Sequence, residues 1–197
     1  MRTEFINNAI IPYVEEADYP DELLPVLGPY QERMGFIPNA LKIYMHRPEI
    51  CGPLWALNSK IMRDESSELD AFLKRRLAAV ASHLNRSEYC VTHNTHMLKQ
   101  AAGGSSEGWG MDQGEIDALL EGSFEPEDEF EAACLAFVKA ASEDASAMTD
   151  EILDKLKNHL SPAQIVELAC LVGFWKMYNT IHEALKIPIE EHLLRED

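Results

Sequence analysis

The residues best suited to chemistry lie in one short stretch, Ser87-Glu88-Tyr89-Cys90-Val91-Thr92-His93-Asn94-Thr95-His96. If Ser87 caps a helix, Cys90 falls at its third position, where backbone amides and the helix dipole favour an anion and lower a thiol's pKa. His93 follows three residues later, on the same face one turn on. It is placed to take the thiol proton or to pair with the thiolate. On this reading Cys90 is a nucleophile with a pKa below about 8.5, and it labels before the other cysteines. A quieter reading makes Cys90 a small buried apolar residue and His93 a satisfied polar neighbour, and the residue types alone favour it.

Cys90, His93 and His96 also invite a metal reading. Three-residue steps drift around a helix by about 60°, and a closed zinc site needs a fourth ligand from elsewhere. His83, His182 or a carboxylate would have to supply it, and the spacing supports no metal or other cofactor. Cys134 and Cys170 fall in apolar helical stripes and read as core, whereas Cys51, just inside a helix start, is less decided. Asn179, His182 and Glu167 stand on an otherwise apolar helix and need partners if buried; they are placed to line a pocket or to be satisfied within the core.

The elements that must carry these residues are helices. No β-type alternation persists, and apolar residues recur at three- and four-residue steps. Residues 1–20 read as an irregular arm broken by Pro12 and Pro20. A helix from Asp21 to Met34, interrupted near Pro25 to Pro29, is followed by a short one from Asn39 to Met45 and another from Pro48 to about Met62. Leu69, Phe72, Leu73, Leu77, Val80 and Leu84 make one face of a helix from about Glu68 to Leu84. The Cys90 helix runs from Glu88 to about Ala101, and GGSSEGWG reads as a flexible loop. Asp112 and Glu115 form a capping box, and Thr149 caps a further helix. Ser161-Pro162-Ala163-Gln164 opens a helix to about Leu185 that is apolar nearly all round, as befits a core or a subunit interface. Ile187-Pro188 ends it, and a short helix closes the chain. The whole reads as an all-α protein forming a single domain over residues 1–197.

Composition limits the function classes. The chain has 197 residues, 46% hydrophobic and 26% charged, with 17 basic and 34 acidic residues and a net charge of −17. A surface this acidic repels phosphate backbones and anionic lipid, which argues against nucleic-acid and membrane partners. The four cysteines are widely spaced, unlike a secreted disulfide framework. The first residues lack the apolar run of a signal peptide, and no stretch approaches the ~18 apolar residues of a membrane span. A cytoplasmic protein with reduced thiols is the expectation.

The segment LKRRLAAVASHLNRSEYCVTHNTHML resembles the signature helix pair of alkylhydroperoxidase D-like proteins. In that signature a first cysteine, an acidic residue, Tyr-Cys and a nearby His follow the end of a helix. The stretch from Glu129 through Ser161-Pro162-Ala163-Gln164-Ile165-Val166-Glu167 to Asn179 and Pro188 is similar to the C-terminal part of peroxidase-related members. Gly35-Phe36-Ile37-Pro38-Asn39 and His46-Arg47-Pro48 also fit. The resemblance implies a multihelical fold with a helical-bundle core, usually oligomeric. It implies a thiol oxidoreductase of antioxidant type that reduces small peroxides, with a cysteine pair, a glutamate on the preceding helix and a histidine.

This chain departs from that pattern at several positions. Cys90 matches the second cysteine, Ser87 stands where the first belongs, and Arg75 stands where the glutamate belongs. The histidine four residues on is Asn94; in another branch it lies three residues on, which matches His93. Tyr89 matches the motif. Without a local partner thiol, an oxidised Cys90 needs an external thiol or a distant cysteine. Peroxide reduction by Cys90 with His93 as base is therefore the leading expectation, with Ser87, Tyr89, Asn94, His96 and Arg75 as possible lining. The alternatives are a carboxymuconolactone decarboxylase-like or metal-dependent enzyme on the same fold, or a lapsed homo-oligomeric binding protein.

Overall fold

A computed structural model describes residues 10–99 and 108–194, and most of these are helical. After single 3-10 turns at Glu16–Asp18 and Asp21–Leu23 come nine α-helices among the described residues. They are α1 (Leu24–Met34), α2 (Asn39–Tyr44), α3 (Pro48–Arg63), α4 (Ala71–Leu84), α5 (Glu88–Leu98), α6 (Gln113–Glu121), α7 (Glu129–Asp144), α8 (Asp150–His159) and α9 (Pro162–Ala184). No strand occurs among the described residues; a single parallel bridge links Lys99 and Met111.

Local chemistry sets most of the boundaries. Asp70 caps α4, Asp128 caps α7 and Thr149 caps α8, each accepting from a first-turn amide. The Asp112/Glu115 and Ser161/Gln164 capping boxes both form. Three expectations shift. α1 is continuous from Leu24 to Met34: Pro25 falls in its first turn, where a missing N–H costs nothing, and the helix runs on through Pro29. α5 stops at Leu98, three residues short, and residues 100–107, most of the anticipated loop, lie outside the described residues. The closing segment forms turns at 191–194 rather than a helix.

α4 is the central element. It is buried along most of its length, packs side by side with α5, and also touches α7 and α9. The alanines at 78, 79 and 81 are fully buried, which lets neighbouring helices approach closely. Glu167 on α9 spends its carboxylate on the turn before α4, accepting from the Ser67 hydroxyl and the Leu69 amide. α4 also carries a buried charge pair. Arg76 meets Glu131 on α7 at 2.6 Å, with its guanidinium 4.1 Å from the Phe72 ring centroid. Arg76→Met strands the Glu131 carboxylate, and the expected loss is about 3–5 kcal/mol in urea unfolding.

α9 is less completely covered than its sequence suggests. Val166 is 62% exposed, and Cys170 and Gly173 are exposed on the same side. Cys170 is therefore not a core thiol. Its stripe of the helix faces outward, whereas Leu168, Leu171, Phe174 and Trp175 take the inner face. No helix among the described residues is long and apolar enough to cross a membrane.

Candidate active site

Four segments meet around Cys90: the N-terminal end of α5, the C-terminal turn of α9, the start of α2, and the extended chain after α9. Ser87 occupies the cap position of α5 but its side chain makes no capping hydrogen bond. Cys90 sits at the third helical position, as the spacing predicts, yet it is only 1% exposed. Burial pushes its thiol up to about 12, with the nearby Ser87 hydroxyl offsetting part of that rise and Glu183 adding to it. The lowered pKa expected from the helix terminus is thus overturned. Desolvation of a thiolate in a packed interior outweighs the dipole of one helix end. Cys51 and Cys134 are buried too, their thiols raised to about 11 and about 12.

The imidazole beside the thiol belongs to His182, with Nδ1 2.9 Å from Cys90 Sγ. His93, the expected neighbour, turns its Nε2 to Glu190 Oε2 at 2.7 Å. Burial, with the His93 charge beside it, drives His182 down to about 3, while Glu190 pulls the other way. Thiol and imidazole are thus both neutral near pH 7. The thiol donates to Nδ1, and we assign the ring proton to Nε2.

Glu190 is the hub of the second layer. Its Oε1 accepts from the Asn39 backbone N–H at 2.6 Å and from the Tyr89 hydroxyl at 3.0 Å. The Tyr89 hydroxyl in turn accepts from the Ala40 N–H, and the Asn39 amide donates to the Pro188 carbonyl. Burial works against ionisation of this carboxyl, but the His93 charge, the His93 hydrogen bond and the Asn39 amide prevail, and it falls to about 2. Tyr89 therefore ties α5, α2 and the C-terminal segment together.

Arg75 and Asn94 find one another. Arg75 is buried, and its Nη1 donates to Asn94 Oδ1 at 2.8 Å, while the Asn94 amide reaches the Ser82 hydroxyl. The two positions where the sequence departs from the family's glutamate and histidine thus form one neutral-to-cation contact. Ser87 is fully buried below the thiol, and His96 sits half-buried in the last turn of α5, away from the cavity. No group of three or more His, Cys, Asp or Glu side chains among the described residues is placed to hold a metal.

A cavity of about 80 Å³ opens beside the pair. Cys90, His182, His93, Arg75, Tyr44 and Trp175 are in its wall, with Leu41, Trp55, Met97 and Tyr178 supplying much of the apolar surface. The Tyr44 ring stacks on His182 at 5.8 Å. The sequence offers His182 as a candidate metal ligand or pocket-lining residue, but not as the partner of Cys90. Glu190 was missed; its one signal was an acid following the apolar run Ile187-Pro188-Ile189.

The titrations carry a sign that can be checked. Below pH 6.5 the unfolded chain protonates His182, whereas the folded chain refuses that proton until about 3. Glu190 acts in the same direction below 4.5, since its folded value is about 2. Stability should therefore be complete above about pH 6.5 and fall progressively as pH drops toward 3. Urea midpoints across this range check it, and His182→Asn should make the decline shallower.

No protein-family model and no curated protein matches the chain in sequence. Solved structures do match. The debrominase Bmp8, as a cysteine-to-alanine variant in complex with 2,3,4-tribromopyrrole, aligns at a TM-score of 0.78 with 22% identity, covering 95% of each chain. An uncharacterised peroxidase-related protein from Silicibacter sp. TM1040 aligns at 0.77 with 22% identity over 92% of this chain and 94% of that one. A peroxidase-related protein from Ralstonia eutropha JMP134, described as an alkylhydroperoxidase AhpD core, aligns at 0.78 with 17% identity over 92% of both. The chain therefore has the all-α alkylhydroperoxidase D-like fold that these peroxidase-related proteins share.

Proposed function

We propose that this chain is a peroxidase-related thiol oxidoreductase in which Cys90 reduces a small organic peroxide and His182 takes its proton. The observation that carries the reading is the 2.9 Å contact between Cys90 Sγ and His182 Nδ1 in the wall of an aromatic-lined cavity. As sulfur attacks the peroxide oxygen, the thiol proton passes to Nδ1, the O–O bond breaks, and the leaving alkoxide is protonated to an alcohol. Cys90 becomes a sulfenic acid. One external thiol condenses with it, releasing water, and a second restores Cys90 and leaves as a disulfide. The outside reductant is required because Ser87 stands one turn away where a local thiol would be needed. His93 acts at one remove, holding Glu190 and through it the Tyr89 ring that meets His182 at 4.8 Å.

The test is consumption of a small thiol by the purified protein with cumene hydroperoxide, followed by the rate of peroxide loss. Turnover above the reagent background supports the reading, and no turnover contradicts it.

A second reading has a specific observation behind it: the cavity wall contains Trp55, Trp175, Tyr44 and Tyr178, a setting for a flat ring, and the Bmp8 structure holds a bromopyrrole. Here sulfur takes the halogen from the ring carbon, the ring carbon gains the thiol proton, one external thiol displaces halide to form a mixed disulfide with Cys90, and a second thiol restores Cys90 and leaves as a disulfide. Bromide release from 2,3,4-tribromopyrrole in the presence of thiol separates this from peroxide reduction.

Self-association through the outward stripe of α9 belongs to the same proposal, since Val166, Cys170 and Gly173 leave it uncharged and uncovered. Light scattering is expected to give a dimer or larger, and a monomer contradicts it.

A further inference from the structure

The polar side-chain atoms in the wall of the Cys90 cavity differ in what a ligand can reach. Some are bonded within the protein. The Tyr89 hydroxyl and His93 Nε2 go to Glu190, the Tyr178 hydroxyl to the Leu54 carbonyl, and Arg75 Nη1 to Asn94. Trp55, Arg63 and Arg75 have further interactions of their own. Others are sealed: the Tyr44 hydroxyl, the Trp175 N–H, His182 Nε2 and Arg75 Nε lack a hydrogen-bond partner but lie too deep for a ligand to touch. Asn58 Nδ2 and His93 Nδ1 belong to neither group. They make no hydrogen bond among the described residues, and they are not sealed.

Asn58 makes the sharper demand. A ring nitrogen donates or accepts according to its proton, whereas an amide NH2 only donates. The orientation of this amide is fixed by its neighbour. Its other end accepts from Arg63 Nη1 at 2.6 Å, and a guanidinium offers nothing but N–H, so that end is the oxygen. Asn58 is 6% exposed on α3, in the cavity wall. The NH2 of a buried side chain thus opens on the cavity, and no carboxylate stands among the described lining residues to meet it. Buried polar groups in folded proteins are nearly always satisfied, so this one calls for an acceptor from outside. Much of the remaining wall is aromatic, and the space holds roughly five to eight water-sized positions, enough for one small ring with a substituent. A bare hydrocarbon ring leaves the amide unmet. A carbonyl oxygen meets it without bringing a charge into a largely apolar enclosure.

We propose that Asn58 is a specificity-determining residue that selects small aryl carbonyl compounds, the carbonyl oxygen accepting from Asn58 Nδ2 while the ring lies along the aromatic wall. This rests on the cavity that the proposed reaction uses and adds what the organic part of its substrate carries. It does not require Cys90 to be oxidised.

The test is calorimetric titration of the whole chain with acetophenone and with α-methylstyrene, which has the same shape but a methylene in place of the carbonyl oxygen. Asn58→Asp keeps an oxygen for Arg63 and puts a second oxygen where the NH2 stood. It should weaken acetophenone by about tenfold and α-methylstyrene by less than about threefold, since only the former loses a hydrogen bond. No saturable binding of acetophenone, an undiminished affinity in the variant, or an equal loss for both ligands overturns the proposal; the equal loss would mean that Asn58 only shapes the wall. If circular dichroism shows that the variant does not fold, the infrared carbonyl stretch of acetophenone bound to the natural chain decides. A frequency below that in hexane is expected of a hydrogen-bonded carbonyl, and a hexane-like frequency overturns the proposal. A failure here leaves peroxide reduction by Cys90 untouched, and a Cys90 inert to peroxide leaves acetophenone binding untouched.

Discussion

His182→Phe is expected to slow oxidation of Cys90 by peroxide by about 10² to 10⁴, the range in which a positioned general base contributes. The magnitude follows from the thiol's own environment. A thiol held at about 12 is ionised in only about one molecule in 10⁵ at pH 7, so direct reaction of a standing thiolate is negligible. The proton must leave as the sulfur attacks, and His182 Nδ1 is the acceptor in contact. Because His182 itself titrates at about 3, the natural chain should show a nearly flat rate from pH 5 to pH 8, with no step near 6.5. Without the imidazole the rate should instead rise about tenfold for each pH unit below 12, since hydroxide alone then removes the proton. Stopped-flow measurement of peroxide consumption against pH distinguishes the two profiles.

Cys90→Ala is the second large effect. Peroxide-dependent thiol oxidation should fall to the rate of the small thiol alone, because no other cysteine sits beside an imidazole in the described structure. Cys51 and Cys134 are buried with raised thiols, and Cys170 faces outward. The same change removes the partner of His182 Nδ1 and leaves that nitrogen buried, at a cost of about 1–3 kcal/mol in urea unfolding. Retention of turnover by Cys90→Ala would transfer the chemistry to another group. Loss of turnover with stability reduced only by this amount places it at the sulfur.

The helices were largely legible because their signals are local. Ser161-Pro162-Ala163-Gln164 and Asp112-Gln113-Gly114-Glu115 each contain their own cap, and both caps form. The apolar recurrence from Leu69 to Leu84 marks a helix whose inner residues are indeed buried. The site was only half legible, because its key contacts span the chain. Cys90 and His182 are 92 residues apart, and His93 and Glu190 are 97 apart. Sequence spacing offered His93 to the thiol because it stands one turn away, but α9 delivers a closer ring from the opposite side. The helix-terminus argument for Cys90 had the position right and the pKa wrong, since burial depends on what α2, α9 and the C-terminal segment cover. Cys170 shows the same limit in reverse. An apolar stripe tells which residues share a face, but not whether another element of the same chain covers it.

Cys90 is the thiol expected to meet peroxide, although it is almost fully buried while Cys170 is exposed. The direct measurement is mass spectrometry after one equivalent of cumene hydroperoxide in the presence of dimedone, which traps sulfenic acid. The dimedone adduct is expected on Cys90 in the natural chain and should be strongly reduced in His182→Phe. An adduct confined to Cys170, with Cys90 unmodified, would contradict it.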